Sequence, residues 1–259
     1  MTLAVAVLGL GEAGGTIAAG LAGEGCGVRG WDPDETRGAV GVERTATPAE
    51  AVAGAELVLS LATAAHALDA ARSVAATLAP GQLYADLNTT SPALKREVAA
   101  ALAPTGAGFA DVALLGGVPA TGIATPALAS GAGAERFAAL LRPLGMPVEV
   151  VGREPGEAAG LKLLRSVFMK GVAASALESV EAARRRGADE WLRGEIAGVI
   201  GDRLLERLLS GSVTHAERRQ DEMDAAAAYV RELGVEPRVA EAAARWLEQL
   251  ADEKRARPA

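Results

Sequence analysis

The sequence holds a single cysteine, Cys26, in 259 residues, so no internal disulfide can form. A reducing, intracellular setting fits that usage. Positive charge is scarce as well: 26 Lys and Arg stand against 33 Asp and Glu, a net charge of -7. Nucleic acids and anionic membranes demand a basic face, so neither is expected as a partner. No basic residues precede the short apolar run at the N-terminus, which does not read as a signal peptide. No uncharged apolar run approaches the ~18 to 20 residues that a membrane span needs. Only two histidines are present, no His/Cys/Asp/Glu cluster has metal-ligand spacing, and no G-x-S-x-G or Walker pattern occurs. The expectation is a soluble, cytoplasmic protein with a small-molecule partner and no metal.

What is present is apolar and rhythmic. Half the residues are hydrophobic, enough to bury a core. Short apolar runs at 3–8, 26–31, 56–62, 81–87, 107–114, 125–130 and 147–151 read as strands. Between them, 12–24, the stretch to Leu78, 92–102 and 133–145 read as helices. Strands that alternate with helices predict a doubly wound parallel sheet, an α/β Rossmann domain. The rhythm stops near Gly152. From Glu157 to Arg186 there is no proline, and the rest reads as helices broken near Gly187, Gly211 and 234–237. The predicted domains are therefore 1–152, α/β, and 153–259, all-α. The charged tail from 251 onward reads as a frayed, solvated helix end.

The stretch VAVLGLGEAGGTIAAGL, residues 5–21, places Gly9, Gly11 and Gly14 where a strand meets a helix. In G-x-G-x-x-G the first glycine permits a tight turn and the second lets a pyrophosphate approach the backbone. The third lets helix and strand pack closely. The free N–H groups and dipole of the helix start then hold the anion. Asp32 ends the second strand 23 residues after Gly9, where a carboxylate can accept from an adenosine ribose. The cofactor-contacting set is thus Gly9, Leu10, Gly11, Glu12, Ala13 and Gly14, with Asp32. A 2′-phosphate would face Asp32, Asp34 and Glu35, so NAD is favoured over NADP, although Arg29 and Arg37 pull the other way. FAD uses the same fingerprint, but the helical half offers no evident room for a flavin-type substrate domain.

Four segments carry a further resemblance: GLGEAGGTIA (9–18), DLNTTSP (86–92), GFADVALLGGVP (108–119) and GLKLLRSVFMKG (160–171). On these the chain resembles the β-hydroxyacid dehydrogenases of the 6-phosphogluconate dehydrogenase superfamily, in the branch with a short helical C-terminal half. The resemblance implies NAD(P)-dependent oxidation of an alcohol or the reverse reduction. It also implies a homodimer through the helical halves and an active site in the cleft between domains.

By the same resemblance Leu61, Ala62 and Thr63 line the cofactor, and Asn88 and Thr89 reach its nicotinamide side. A plainer role for the second segment is capping, since Thr90 or Ser91 can cap the helix that starts near Pro92. Leu115, Gly116 and Gly117 match a substrate loop in which the family carries a serine at the position of Leu115. Lys162 matches the catalytic lysine. Hydride leaving a carbinol carbon requires the hydroxyl proton to go elsewhere, and an amine with its pKa lowered by desolvation can take it. On a helix Ser166 lies about 40° from Lys162 and Met169 about 20°, whereas Leu163, Leu164, Val167 and Phe168 lie about 100° or more away. The lysine is therefore expected on a face apart from the apolar packing side.

The family has asparagine three or four positions after the lysine, where this chain has Arg165 and Ser166. An arginine grips carboxylate or phosphate by two prongs, and Lys170, about 80° round the helix, adds charge. An anionic substrate follows, unless these residues form a surface patch with i,i+4 partners. His215, with Arg218 and Arg219, is a further substrate candidate. Its plainer reading is a charged helix in which Asp221 and Glu222 pair with the arginines. His66 reads as a helix-start residue. Imine reductases share the scaffold but replace this lysine, so a dehydrogenase or reductase acting on a small hydroxy acid leads. Imine reduction and non-catalytic NAD(H) binding are the alternatives.

Overall fold

The computed structural model describes residues 2–256. The chain divides into two compact units, Met1–Lys162 and Leu163–Ala259. In the first, β1 (Ala4–Leu8), α1 (Glu12–Gly23), β2 (Gly27–Trp31), β3 (Glu43–Arg44), α2 (Pro48–Val52) and β4 (Leu57–Ser60) follow in order. Then come α3 (Ala67–Val74), β5 (Leu83–Asp86), α4 (Pro92–Leu102), β6 (Gly108–Leu114), α5 (Val118–Thr121), β7 (Ala127–Ser130), α6 (Ala134–Leu141) and β8 (Val148–Val150). The eight strands form one sheet in the order β3-β2-β1-β4-β5-β6-β7-β8.

Alternate residues of each strand face opposite sides of the sheet. Val5 and Val7 join Ile17, Leu21 and Phe137 on one face. Ala6 and Leu8 join Val58, Tyr84 and Val98 on the other. Helices cover both faces, which is why the central strands are apolar along their whole length. The order reverses between β1 and β4, and the crevice beyond the carboxyl ends of strands at such a point is where α/β sheets bind ligands.

This is the Rossmann architecture expected from the sequence, with two differences. β7 pairs with β6 antiparallel, with Asp111 opposite Ser130 and Leu114 opposite Ala127. An apolar run reads identically in either direction, so the fully parallel expectation fails there. The sequence pattern also leaves out β3, α2 and α5. The signal for α2 is local: Thr47 Oγ1 accepts from Glu50 N, and Glu50 Oε2 accepts from Ala46 N, around Pro48 at the first helical position. At α4 the capping question resolves to Ser91, whose hydroxyl accepts from Leu94 N at 3.2 Å.

A long helix, α7 (Glu157–Arg186), begins in the first unit. The second unit adds α8 (Asp189–Ile200), α9 (Asp202–Thr214), α10 (Ala216–Glu232) and α11 (Arg238–Ala256). Leu163, Met223, Ala226, Ala243 and Leu247 are core residues that join α7, α10 and α11. Alanine predominates, so these helices approach closely. The expected break at Gly211 is absent: the residue lies inside α9, where a side chain would meet the Arg219 guanidinium at 2.6 Å. The breaks fall instead at Gly201 and His215. The charged tail is helical as far as Ala256, with Arg255 paired to Glu217 and Asp252. Residues 257–259 of the tail lie outside the described residues. Among the described residues no helix is long and apolar enough to cross a membrane.

Candidate functional site

The glycine turn joins β1 to α1 at the point where the strand order reverses. Gly9 has φ +96°, and a Cβ there would lie 2.5 Å from the Leu61 carbonyl oxygen. The turn is thus pressed against the loop after β4. At Gly14 a Cβ would lie 1.9 Å from the Gly9 carbonyl oxygen, so helix and turn close only without a side chain. Gly11 stands at the N-cap of α1, and no side chain caps the helix there. An uncapped helix start beside a glycine cradle offers backbone N–H groups to an anion. A dinucleotide phosphate fits these residues.

Asp32 is 4% exposed. Its Oδ2 accepts from Leu10 N at 2.7 Å and its Oδ1 from Asp34 N at 2.9 Å. The carboxylate therefore ties the end of β2 to the glycine turn. The two arginines singled out near it part company. Arg29 donates to the Ala53 carbonyl. Arg37 lies 3.8 Å from Asp32 Oδ2, and its guanidinium nitrogen is 3.0 Å from where a Gly11 Cβ would stand. Asp34 is held below the usual carboxylate range by hydrogen bonds from Thr36, with the Arg37 charge adding to this. Negative charge thus persists where β2 ends beside the turn.

After β4, Leu61 N donates to the Leu8 carbonyl, Ala62 follows it, and the Thr63 hydroxyl shares a 2.7 Å hydrogen bond with His66 Nδ1. His66 sits at the N-terminal cap of α3, as a helix-start residue. After β5 the neighbours Asn88 and Thr89 diverge. Asn88 is buried and donates to Ser60 Oγ at 3.0 Å and to Asp86 Oδ1 at 2.6 Å. Thr89 has a different partner: Lys162 Nζ donates to its Oγ1 at 2.6 Å. Two residues drawn from separate segments of the same resemblance, 73 positions apart, are brought together within the first unit. Leu115 packs with Ala113, Leu128 and Ala158, while Gly116 and Gly117 are exposed ahead of α5.

A row of polar residues escaped the sequence reading. Asp86, Asp111 and Ser130 lie side by side across β5, β6 and β7, all fully buried. Lys95, on the inner face of α4, is buried with them. Its Nζ donates to the Asp86 carbonyl at 2.6 Å and stands 3.3 Å from both Asp86 Oδ1 and Asp111 Oδ1. The signal was available. Pro92, Lys95, Val98 and Leu102 recur at helical spacing as one stripe, and each aspartate interrupts an apolar strand. Burial of Tyr84, with the Asp86 charge nearby, pushes its phenol above the ordinary range.

In the second unit Ser166 donates to Glu222, and Lys170 Nζ donates to Glu222 Oε1 at 2.9 Å. Burial pulls the Lys170 pKa below its ordinary value while Glu222 opposes the shift. The charge of Lys170 therefore faces a carboxylate that the sequence reading had given to the arginines. Arg219 donates to Ser212 Oγ at 3.1 Å, and the Glu222 charge acts on its guanidinium as well. Arg165 is exposed, and His215 is the residue between α9 and α10. The face of α7 given to packing is only partly covered. Leu163 is buried, but Leu164 and Phe168 are 39% and 69% exposed. No group of three or more potential metal ligands occurs among the described residues.

Residues 4–152 match a family described as the NAD binding domain of 6-phosphogluconate dehydrogenase, and residues 183–250 match a domain of unknown function, DUF1932. A relative from Methanothermus fervidus is described as an uncharacterized 28.5 kDa protein in the 7S RNA 5′ region. It is 29% identical over 175 residues, and the match spans 66% of this chain and 66% of the relative. One solved structure is of a conserved protein of unknown function reported as structurally similar to 3-hydroxyacid dehydrogenases. It matches with TM-score 0.73 and 31% identity, over 96% of this chain and 97% of that one. The 3-hydroxyisobutyrate dehydrogenase of Mycobacterium tuberculosis, solved with L-serine, matches with TM-score 0.80 and 23% identity over 97% and 94% of the chains. An imine reductase variant from Myxococcus stipitatus, solved with NAD+, matches with TM-score 0.69 and 20% identity over 98% and 95%. The last two likenesses are of fold.

Proposed function

The chain belongs to the family of the 6-phosphogluconate dehydrogenase NAD-binding domain, and from that premise we propose that it is an NAD-dependent oxidoreductase acting on a small, anionic, hydroxy-acid-like alcohol or its carbonyl partner. The observation that carries this reading is the 2.6 Å hydrogen bond between Lys162 Nζ and Thr89 Oγ1. It lies beyond the carboxyl end of β5, on the edge of the sheet that also bears the glycine turn.

The dinucleotide, when bound, supplies the hydride acceptor or donor. The protein does the rest. The N–H groups at the start of α1 hold the diphosphate. In the oxidative direction the neutral amine of Lys162 takes the proton of the substrate hydroxyl; in reduction the ammonium returns it to the forming alkoxide. Thr89 holds that amine in place. Arg165, exposed on the same helix, supports an anionic substrate by offering a two-pronged grip. A lysine acid suits an alkoxide better than an imine, whose reduction asks less of a proton donor. That weighs against imine reduction despite the shared fold. The second unit supports a homodimer: α8 has no buried residue and presents Trp191 and Val199 at 67% and 84% exposure.

A panel of hydroxy acids, sugar acids and cyclic imines, followed by nicotinamide absorbance with NAD and NADP, tests the reading. Turnover of a hydroxy acid is expected. Turnover of imines alone would replace it with imine reduction, and dinucleotide binding without turnover would replace it with a non-catalytic role. In the same assay NAD is expected to be preferred, because Asp32 and the ionised Asp34 repel a 2′-phosphate. Asp32→Ser is expected to move the NADP-to-NAD ratio of kcat/KM at least ~10-fold toward NADP, about 1.4 kcal/mol of discrimination. An unmoved ratio would misassign the ribose contact.

A further inference from the structure

The buried cluster around Lys95 has no place in the reaction just described, yet both partners of the Lys162–Thr89 pair hang from it. One route runs along the strand that leads to Thr89. Lys95 Nζ holds the Asp86 carbonyl and faces the Asp86 carboxylate. Asp86 Oδ1 in turn accepts from Asn88 N at 2.9 Å and from Asn88 Nδ2 at 2.6 Å. The turn that leaves β5 is thereby shaped by a single carboxylate, and Thr89 is the next residue along.

The other route leads to Lys162. Lys95 Nζ faces Asp111 Oδ1 at 3.3 Å. Asp111 Oδ2 accepts from Gly156 N at 3.0 Å, from Ala159 N at 3.1 Å and from Ser130 Oγ at 3.1 Å. Ser130 Oγ accepts from Ala158 N at 3.0 Å. Helix starts leave such N–H groups without partners in the helix itself. Here three N–H groups at the start of α7 are met by side chains from β6 and β7. Lys162 stands three residues beyond Ala159 on the same helix.

The two strand ends are neighbours, with Asp86 directly opposite Asp111. Two carboxylates so placed repel, and a buried charge left alone is costly. One ammonium between them fixes both. We propose that Lys95 is a positioning residue: by clamping Asp86 to Asp111 it sets the distance between the Thr89 hydroxyl and the Lys162 amine. Its Nζ meets the strand ends at Asp86 and Asp111 and acts on the pair through them. This role rests on the reaction proposed above, but the geometry it governs does not.

The chain has only four lysines, Lys95, Lys162, Lys170 and Lys254, so 13C-dimethylation of the intact protein gives a short NMR spectrum in which Lys162→Arg assigns the Lys162 signal. The variant Lys95→Met is compared with the unaltered protein for dinucleotide Kd, the pH profile of kcat and the titration midpoint of the Lys162 signal. Expected are a Kd within ~3-fold, since the glycine turn is held by Asp32, and a kcat lower by up to ~10²-fold, the scale of an ångström-sized misplacement. A shifted pH profile and a shifted Lys162 midpoint are also expected. Removing a charge can move the last two by itself, so the charge-neutral Ser130→Ala is measured beside it, and unmoved values in either variant overturn the proposal. If Lys95→Met does not fold, Ser130→Ala serves alone. It removes one link between Asp111 and α7, and the same shifts, smaller, are expected. Their absence is equally fatal. If the unaltered protein turns over no substrate, the reaction has failed and the Lys162 signal alone decides the role of Lys95.

Discussion

Replacing Lys162 by alanine is expected to lower kcat by ~10² to 10⁴-fold while dinucleotide Kd stays within ~3-fold of the unaltered protein, because general acid–base catalysis contributes on that scale. The split follows from where the residue sits. Its amine meets Thr89 beyond β5, whereas the diphosphate cradle is built by β1, α1 and the loop after β4. Removing the amine also leaves Thr89 Oγ1 without that donor, and a polar hydroxyl can take water in its place. The loss is therefore confined to the chemical step. Stopped-flow turnover with the best panel substrate, beside a fluorescence titration of the dinucleotide, reads both numbers. A variant with near-normal kcat would remove Lys162 from the reaction.

Gly14→Ala is the second large effect, and it falls on binding. The added Cβ would stand 1.9 Å from the Gly9 carbonyl oxygen and 3.0 Å from its carbon. Both are backbone atoms, so no flexible side chain can yield. Relief requires α1 to withdraw from the turn, at a cost of ~1 to 3 kcal/mol for overpacking. For a chain of this size each kcal/mol lowers Tm by ~2 to 4 °C. The withdrawal also moves the N–H groups away from the phosphate, so the dinucleotide Kd is expected to rise by at least ~10-fold, about 1.4 kcal/mol. Gly23→Ala, at the far end of the same helix, is the control: nothing lies within 4 Å of its Cβ position. It is expected to bind normally and to melt no lower, since Ala is the better helix former. Equal binding by the two variants would contradict the tight closure of turn and helix.

The strands and helices around the glycine turn were legible because local patterns dictate them. A five-residue apolar run, a glycine triplet and an Ala-rich helix leave little choice of fold. The resemblance sets both Lys162 and Thr89 at the nicotinamide, but nothing in sequence spacing alone joins positions 89 and 162. The direction of β7 was hidden because Ala127–Ser130 pairs equally well either way. Lys95 was the harder case. Lysine is rarely fully buried unless paired, and its two partners arrive from different strands. Only its place on the apolar stripe of α4 pointed inward. Gly211 misled for the opposite reason. A glycine that reads as a helix break is kept inside α9 by the guanidinium packed against it. Long-range polar contacts place Lys95 and join Lys162 to Thr89, and periodicity carries no record of them.

A crystal structure of the protein grown with NAD+ tests the central claim most directly. The diphosphate is expected against the N–H groups at the start of α1, with the adenosine ribose at Asp32 and the nicotinamide C4 side facing Thr89 and Lys162. A substrate carbinol would then fit between ring and amine at the ~3 to 3.5 Å contacts that a reacting pair needs. A diphosphate bound away from the glycine turn, or a nicotinamide ring turned from the Lys162 amine, would contradict it.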